Sequence, residues 1–245
     1  MGHVATQSAR ERPGERLKPN MKPSSRIRAA VFDMDGVLTD SEPIINAAAI
    51  AMFAEKGLRV KPEDFLPFVG TGEDRYLGGV AETCGFPLDV PEAKRRTYEI
   101  YLALVPDRLE AFPGAQDLVQ SCRRAGLRVA VASSADEIKI VANLNKIGLA
   151  PEEWDAIVAG EDVKAKKPAP DIFLAAAAKL GMSPQECVVI EDAVNGIEAA
   201  KAAGMRCVAV AQTFAPERLK RADLVKARIS EVTVSDLVGQ VGELH

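Results

Sequence analysis

Four short polar stretches stand out: Asp33-Met-Asp35-Gly36, Ser133-Ser134, Lys166-Lys167-Pro168 and Glu191-Asp192. Each follows a short apolar run, so each is expected at the carboxyl end of a strand, where α/β sheets bind ligands. Alone, each has a plain structural reading. An Asp-x-Asp is commonly a turn, a serine before a helix an N-cap, and Glu-Asp before a helix a favourable charge at its positive end. Together they describe phosphoryl transfer. Asp33, Glu191 and Asp192 offer the hard oxygen ligands that Mg²⁺ prefers. The ion and a nearby lysine offset the mutual repulsion of the carboxylates and keep Asp33 ionised as a nucleophile. Lys167 and the ion neutralise the equatorial phosphoryl oxygens, and the Ser133 hydroxyl and nearby N–H groups hydrogen-bond them. Attack by Asp33 gives an aspartyl phosphate. Asp35 lies two residues on, where Gly36 permits a tight turn. It is the candidate to protonate the leaving oxygen and later deprotonate water.

Composition removes competing chemistries. The only histidines are His3 and His245, at the two termini of the 245-residue chain. A serine–histidine triad, a cysteine–histidine dyad and most zinc hydrolases are therefore excluded from the folded body. Cys84, Cys122, Cys187 and Cys207 are widely spaced, without a CxxC, which predicts four reduced thiols rather than a metal site or disulfide framework. A net charge of −4 gives no reason to expect nucleic acid or an anionic membrane as partner. No apolar run approaches the ~20 residues of a bilayer span, so a soluble protein is expected. No exposed apolar patch is legible, and a monomer is the expectation.

The elements that must position these residues follow from apolar runs and helix periodicity. Strands are predicted at Arg28–Asp33, Leu127–Ala132, Ala156–Ala159, Cys187–Ile190 and Arg206–Val210. Helices are predicted over Gly114–Ala125, Ala135–Ile147, Pro170–Leu180 and Ala193–Ala203, ended by Gly126, Gly148, Gly181 and Gly204 at expected left-handed C-caps. This alternation predicts βαβ units in a doubly wound parallel sheet. Between Pro43 and about Asp107 only helical patterns occur, at Ile44–Lys56, Pro62–Phe68, Glu73–Cys84 and Pro91–Leu104. The expected organisation is an α/β, Rossmann-like core over residues 27–42 and 109–245, with a helical cap at 43–108 inserted after the first strand. Hinges are expected near Ser41–Pro43 and Arg108–Phe112. Residues 1–26 lack apolar periodicity and read as a disordered tail: a transit-peptide remnant, vector-derived sequence or an ordinary tail.

The motifs resemble the haloacid dehalogenase superfamily in its phosphatase branch. Asp33-Met-Asp35-Gly-Val-Leu-Thr-Asp-Ser-Glu42 looks like its first motif, Ser133 the second, Lys167-Pro168 the third and Glu191-Asp192 the fourth. The resemblance runs from about Arg28 to the C-terminus. It implies a helical lid over a Rossmann-like core, a backbone carbonyl of Asp35 added to the metal set of Asp33, Glu191 and Asp192, and phosphatase or phosphomutase rather than dehalogenase chemistry, because Asp35 is present. Lys167-Pro-Ala-Pro-Asp-Ile-Phe and the stretch from Val189 to Ala200 are similar to the β-phosphoglucomutase and CbbY-like group. Phe65–Val80, Val131–Asp136 and Glu186–Asp192 are similar to a dehalogenase-like domain of plant thylakoid proteins, which implies a photosynthetic source and the chloroplast stroma.

Departures from the group narrow the activity. Its sugar phosphomutases carry a hinge histidine, where this chain has Ser41-Glu-Pro-Ile-Ile-Asn46, and an Arg and a Lys in the cap loop to hold a second phosphate. Here the loop Phe68-Val-Gly-Thr-Gly-Glu-Asp-Arg75 offers Arg75 alone, in shifted register. Hydrolysis of a small phosphorylated metabolite, a sugar phosphate, is the leading expectation. A β-phosphoglucomutase and a non-catalytic regulatory module are the alternatives. Thr71, Gly72, Glu73, Arg75 and Ser134 are the candidate substrate contacts. For Thr71 to Glu73 the plain alternative is a turn before a helix, and for Arg75 a solvated helix face.

Overall fold

The computed structural model describes residues 26–239, with Met1 and Gly2. The expected tail therefore lies almost wholly outside the described residues. Six strands form one parallel sheet: β1 Ala29–Phe32, β2 Arg128–Ala132, β3 Ala156–Val158, β4 Cys187–Glu191, β5 Arg206–Val210 and β6 Leu224–Lys226. Their spatial order is β3-β2-β1-β4-β5-β6. The chain steps outward from β1 through β2 to β3, then returns to the other side of β1 and continues through β4 to β6. The strand order reverses between β1 and β4, which creates the crevice where such sheets bind ligands.

The central strands read as unbroken apolar runs because both faces are covered. Ala30 and Phe32 of β1, Val188 and Ile190 of β4, and Val208 and Val210 of β5 face one buried cluster. Ala29, Val31, Cys187, Val189, Cys207 and Ala209 face the other. Helices α4 (Ala115–Arg124) and α5 (Glu137–Lys146) contribute Leu118, Val119, Ile140 and Leu144 to the first cluster. Helices α6 (Asp171–Leu180) and α7 (Val194–Ala202) contribute Ile172, Phe173, Ile197 and Ala200 to the second. The predicted terminating glycines Gly126, Gly148, Gly181 and Gly204 all take positive φ. A last helix, α8 (Val234–Val238), and β6 complete the sheet domain.

Between β1 and α4 the chain forms the helical cap: α1 (Glu42–Glu55), a 3₁₀ segment (Pro62–Phe68), α2 (Glu73–Thr83) and α3 (Val90–Arg108). It has its own apolar cluster, including Met52, Phe53, Phe65, Tyr76 and Leu77. The Phe65 and Tyr76 rings pack with centroids 4.8 Å apart. The segment Pro62–Phe68, read from sequence as helical, is 3₁₀ and carries Pro67 near its end. The two connections to the core run side by side: Asp40 N–H donates to the Glu110 carbonyl at 3.1 Å, and Phe112 N–H to the Leu38 carbonyl at 3.0 Å.

Candidate active site

The ends of β1, β2 and β4 open into one cleft of about 770 Å³, its open mouth included. Asp33 follows β1 directly, and its N–H continues the ladder to the Ile190 carbonyl at 3.0 Å. Glu191 is the last residue of β4 and Asp192 the next. Parallel pairing of β1 with β4 places Phe32 beside Ile190, so the residues that follow them emerge side by side. Ser133 follows β2, its N–H donating to the Val158 carbonyl of β3 at 3.1 Å. Lys167 comes from the loop after β3 and reaches across the crevice. Its Nζ lies 2.6 Å from Asp33 Oδ1 and 2.7 Å from Glu191 Oε1.

Asp33, Glu191 and Asp192 each bring a carboxylate oxygen within 4.8 Å of the others. All three are buried. Burial pushes the Asp33 carboxyl up to about 7, against the pull of the Lys167 ammonium, with Glu191 and Asp35 adding to the rise. Burial holds Asp192 well above the usual carboxylate range, with Glu191 and Asp33 adding to the effect, while Thr213 and Lys167 offset only part of it. Lys167 is the reverse case. Burial works against its charge, yet Asp33 and Glu191 hold its pKa above that of a free lysine. The set is thus short of positive charge and consists of hard oxygen donors, which suits a divalent cation. Two backbone contacts shape it. A Cβ on Gly36 (φ +81°) would stand 2.1 Å from Asp192 Oδ2, and one on Gly196 would stand 1.6 Å from Glu191 Oε1. Glu191 Oε2 also accepts from the N–H groups of Asp192 and Ala193, both at 2.7 Å.

Residues 27–204 match the family model described as "haloacid dehalogenase-like hydrolase". The chain belongs to the haloacid dehalogenase-like hydrolase family. It is 48% identical over 220 residues to the chloroplastic protein Suppressor of Quenching 1 of Arabidopsis thaliana. That match takes 87% of this chain but only 21% of the relative, so the chain spans about a fifth of that protein's length. It is 31% identical to Hexitol phosphatase B of Escherichia coli (strain K12), over 89% of this chain and 100% of that one. Among solved structures, a variant of CbbY from Rhodobacter sphaeroides in complex with xylulose-(1,5)bisphosphate superposes with a TM-score of 0.79. The identity there is 29%, and the alignment covers 86% of this chain and 99% of that chain.

Within this haloacid dehalogenase-like frame, Asp35 has two partners. Ser41 Oγ donates to Oδ1, and Lys139 Nζ donates to Oδ2 at 3.0 Å. Lys139 is buried on α5 and also donates to Glu73 Oε1 of the cap at 3.3 Å. Its ammonium lies 5.5 Å from the Tyr101 ring centroid. Burial opposes the Lys139 charge, but Asp35 and Glu73 hold its pKa well above the ordinary value. Sequence reasoning missed Lys139. The available signal was its place on the buried stripe of α5, with Ile140, Asn143 and Leu144. Tyr76 was also missed: its hydroxyl donates to Glu42 Oε1 and accepts from Asn46 Nδ2, each at 3.0 Å. Asn195 likewise went unread. It closes cap onto core by donating to the Gly70 carbonyl at 3.0 Å.

The expected cap contacts divide. Gly72, Glu73 and Ser134 line the cleft with Asp33, Asp35, Ser133 and Lys167. Thr71 does not line it; its hydroxyl donates to the Phe68 carbonyl at 2.6 Å, within the turn. Arg75 is not brought into the cleft either. It is exposed on α2, paired with Glu82 at 2.6 Å and stacked 5.1 Å from the Phe68 ring centroid. Roughly half a turn of helix separates the inward Glu73 from the outward Arg75, because α2 buries Glu73, Tyr76 and Leu77 on one stripe.

Proposed function

We propose that the protein is a magnesium-dependent phosphatase that hydrolyses a small sugar or polyol phosphate through an aspartyl phosphate on Asp33. The observation that carries this reading is the position of Lys167, bridging Asp33 and Glu191 beside the three clustered carboxylates. Asp33, Glu191 and Asp192 are the side chains that would hold the ion. When bound, Mg²⁺ supplies charge neutralisation for the phosphoryl oxygens and for the crowded carboxylates.

The chain's own groups account for the remaining steps. Asp33 attacks phosphorus, and the ester oxygen departs with its bonding electrons. Lys167 neutralises developing charge on the phosphoryl group, and the Ser133 hydroxyl, whose oxygen accepts from the Ala135 N–H at 3.1 Å, donates its proton to a phosphoryl oxygen and orients it. Asp35 gives a proton to the departing oxygen and then accepts one from the water that cleaves the aspartyl phosphate, which returns Asp33 and releases phosphate. Ser41 and Lys139 fix the Asp35 carboxylate from both sides. Hydrolysis is favoured over phosphomutase activity because Ser41–Asn46 contains no histidine. The phosphatase relative Hexitol phosphatase B also aligns over its full length.

A phosphate-release screen over sugar, polyol, nucleotide and glycolate phosphates, with and without Mg²⁺, tests the proposal. Metal-dependent release from the sugar or polyol esters is expected. No release from any ester contradicts it. Incubation with β-glucose 1-phosphate separates the alternatives: free phosphate supports the hydrolase, and glucose 6-phosphate supports the mutase. No helix among the described residues is long and apolar enough to cross a membrane. The chloroplastic name of the plant relative leads us to propose the stroma as the compartment. Immunodetection of the protein in fractionated chloroplasts of its source checks this, and its absence from the stromal fraction contradicts it.

A further inference from the structure

We propose that the cleft selects a phosphate ester whose remaining part is uncharged and hydroxylated, with Glu73 as the residue that reads it. This inference rests on the phosphatase reading above and concerns the leaving group alone. Two residues that line the cleft each carry a buried polar atom without a partner: Glu73 Oε2, from the cap, and Ser134 Oγ, from the core. Both residues are more than nine-tenths buried, at 7% and 8% exposure. They lie close together, since a Cβ on Gly72, adjacent to Glu73, would stand 3.3 Å from the Ser134 carbonyl. An unpaired carboxylate oxygen and an unpaired hydroxyl in a buried wall are costly unless a ligand completes them. A sugar or polyol hydroxyl does so, donating to Glu73 Oε2 and exchanging a hydrogen bond with Ser134 Oγ.

The charge of the cleft gives the second half of the inference. Asp40, Glu42 and Glu73 join the four core carboxylates on its wall, against only two ammonium groups, Lys139 and Lys167. Each ammonium already bridges two carboxylates: Lys167 joins Asp33 to Glu191, and Lys139 joins Asp35 to Glu73. Lys166 lies nearby, but it is directed at the Ser134 carbonyl, 3.5 Å away, and is not part of the wall. Arg75 is committed to Glu82 outside. Among the described residues, the cleft wall therefore holds no uncommitted cation for a second anionic group. Such a group has no proton to give Glu73, and it meets a field of like charge.

A matched substrate pair tests this: glucitol 6-phosphate and 6-phosphogluconate, which differ in that one ends in an alcohol and the other in a carboxylate. With Mg²⁺ present, kcat/KM for the alcohol should exceed that for the acid by about tenfold or more, mainly through KM. Glu73→Gln removes one negative charge and releases Lys139, so the ratio should fall toward unity. Lys139→Met removes the cation and should widen it. Calorimetric binding of the same pair to Mg²⁺-loaded Asp33→Asn should show the same preference without turnover. A wild-type ratio near or below one overturns the inference, as does a ratio unmoved by Glu73→Gln in a variant that retains native circular dichroism. An aryl phosphate that is hydrolysed while the pair is not distinguished sinks this inference alone. Failure to hydrolyse any ester sinks the phosphatase reading beneath it.

Discussion

Asp33 sits under opposing forces, and its protonation state sets what the site can hold. Its carboxyl is pushed up to about 7 by burial, with Lys167 opposing and Glu191 and Asp35 assisting the rise. A carboxylate must lose its proton to ligate a cation, so metal affinity should fall as pH drops through that value. We expect Mg²⁺ affinity to weaken by about tenfold for each pH unit below about 7. Calorimetric titration between roughly pH 8 and 6 checks this, and a flat affinity across that range contradicts it. At this scale Asp33, Ser133, Glu191 and Asp192 were legible because each lies at or just past the end of an apolar strand, and Lys167 because its Lys-Pro motif follows the next strand in the loop after β3. Lys139 was not. Its place on the apolar stripe of α5 marks it as inward-facing, but only the three-dimensional meeting of α5 with Asp35 and the cap's Glu73 gives it carboxylate partners.

At the scale of elements, the start of α7 presses against the site. A Cβ on Gly196 would stand 1.6 Å from Glu191 Oε1, so Gly196→Ala should push that carboxylate away from Lys167. Activity should fall by about 100-fold or more, the cost of a misplacement of about 1 Å, even though alanine favours the helix. Aryl phosphatase assays on the purified variant check this, and activity within a few fold of wild type contradicts it. Gly78 in α2 supplies the contrast. A methyl group added there would meet Val90 Cγ2 at an ordinary 3.5 Å. Gly78→Ala should therefore stabilise the protein by up to about 1 kcal/mol in urea unfolding, and a loss of stability contradicts that. Most helices and strands β1 to β5 were readable from periodicity, apolar runs and terminal glycines. β6 and α8 were not: β3, equally short and also at an edge, is carried by the apolar run Ala156–Ala159, whereas the half-buried Leu224–Lys226 ends in a lysine and has no such run, and the five residues of α8 (Val234–Val238) are too few to show a helical period.

Across the whole molecule, the reversal of strand order between β1 and β4 joins residues more than 150 positions apart into one site. A cation held by Asp33, Glu191 and Asp192 would tie the ends of both strands together in the folded state and find no such site in the unfolded chain. Mg²⁺ at about 100 times its Kd should stabilise the fold by about 2.7 kcal/mol, or roughly 5–10 °C in Tm. Thermal unfolding with Mg²⁺ and with a chelator measures this; coincident curves contradict it. The helical insert between β1 and α4 was legible in outline from the break in strand–helix alternation at Pro43. The closed pose of the cap was not, since it depends on single contacts such as Asn195 to the Gly70 carbonyl at 3.0 Å.

The most direct measurement is the Mg²⁺-dependent turnover of an aryl phosphate by Asp33→Asn beside the wild type. The variant keeps the shape of the side chain and removes the attacking oxygen's charge. Turnover should be abolished while circular dichroism and Tm stay native-like. Near-normal turnover in a folded Asp33→Asn protein would contradict the account.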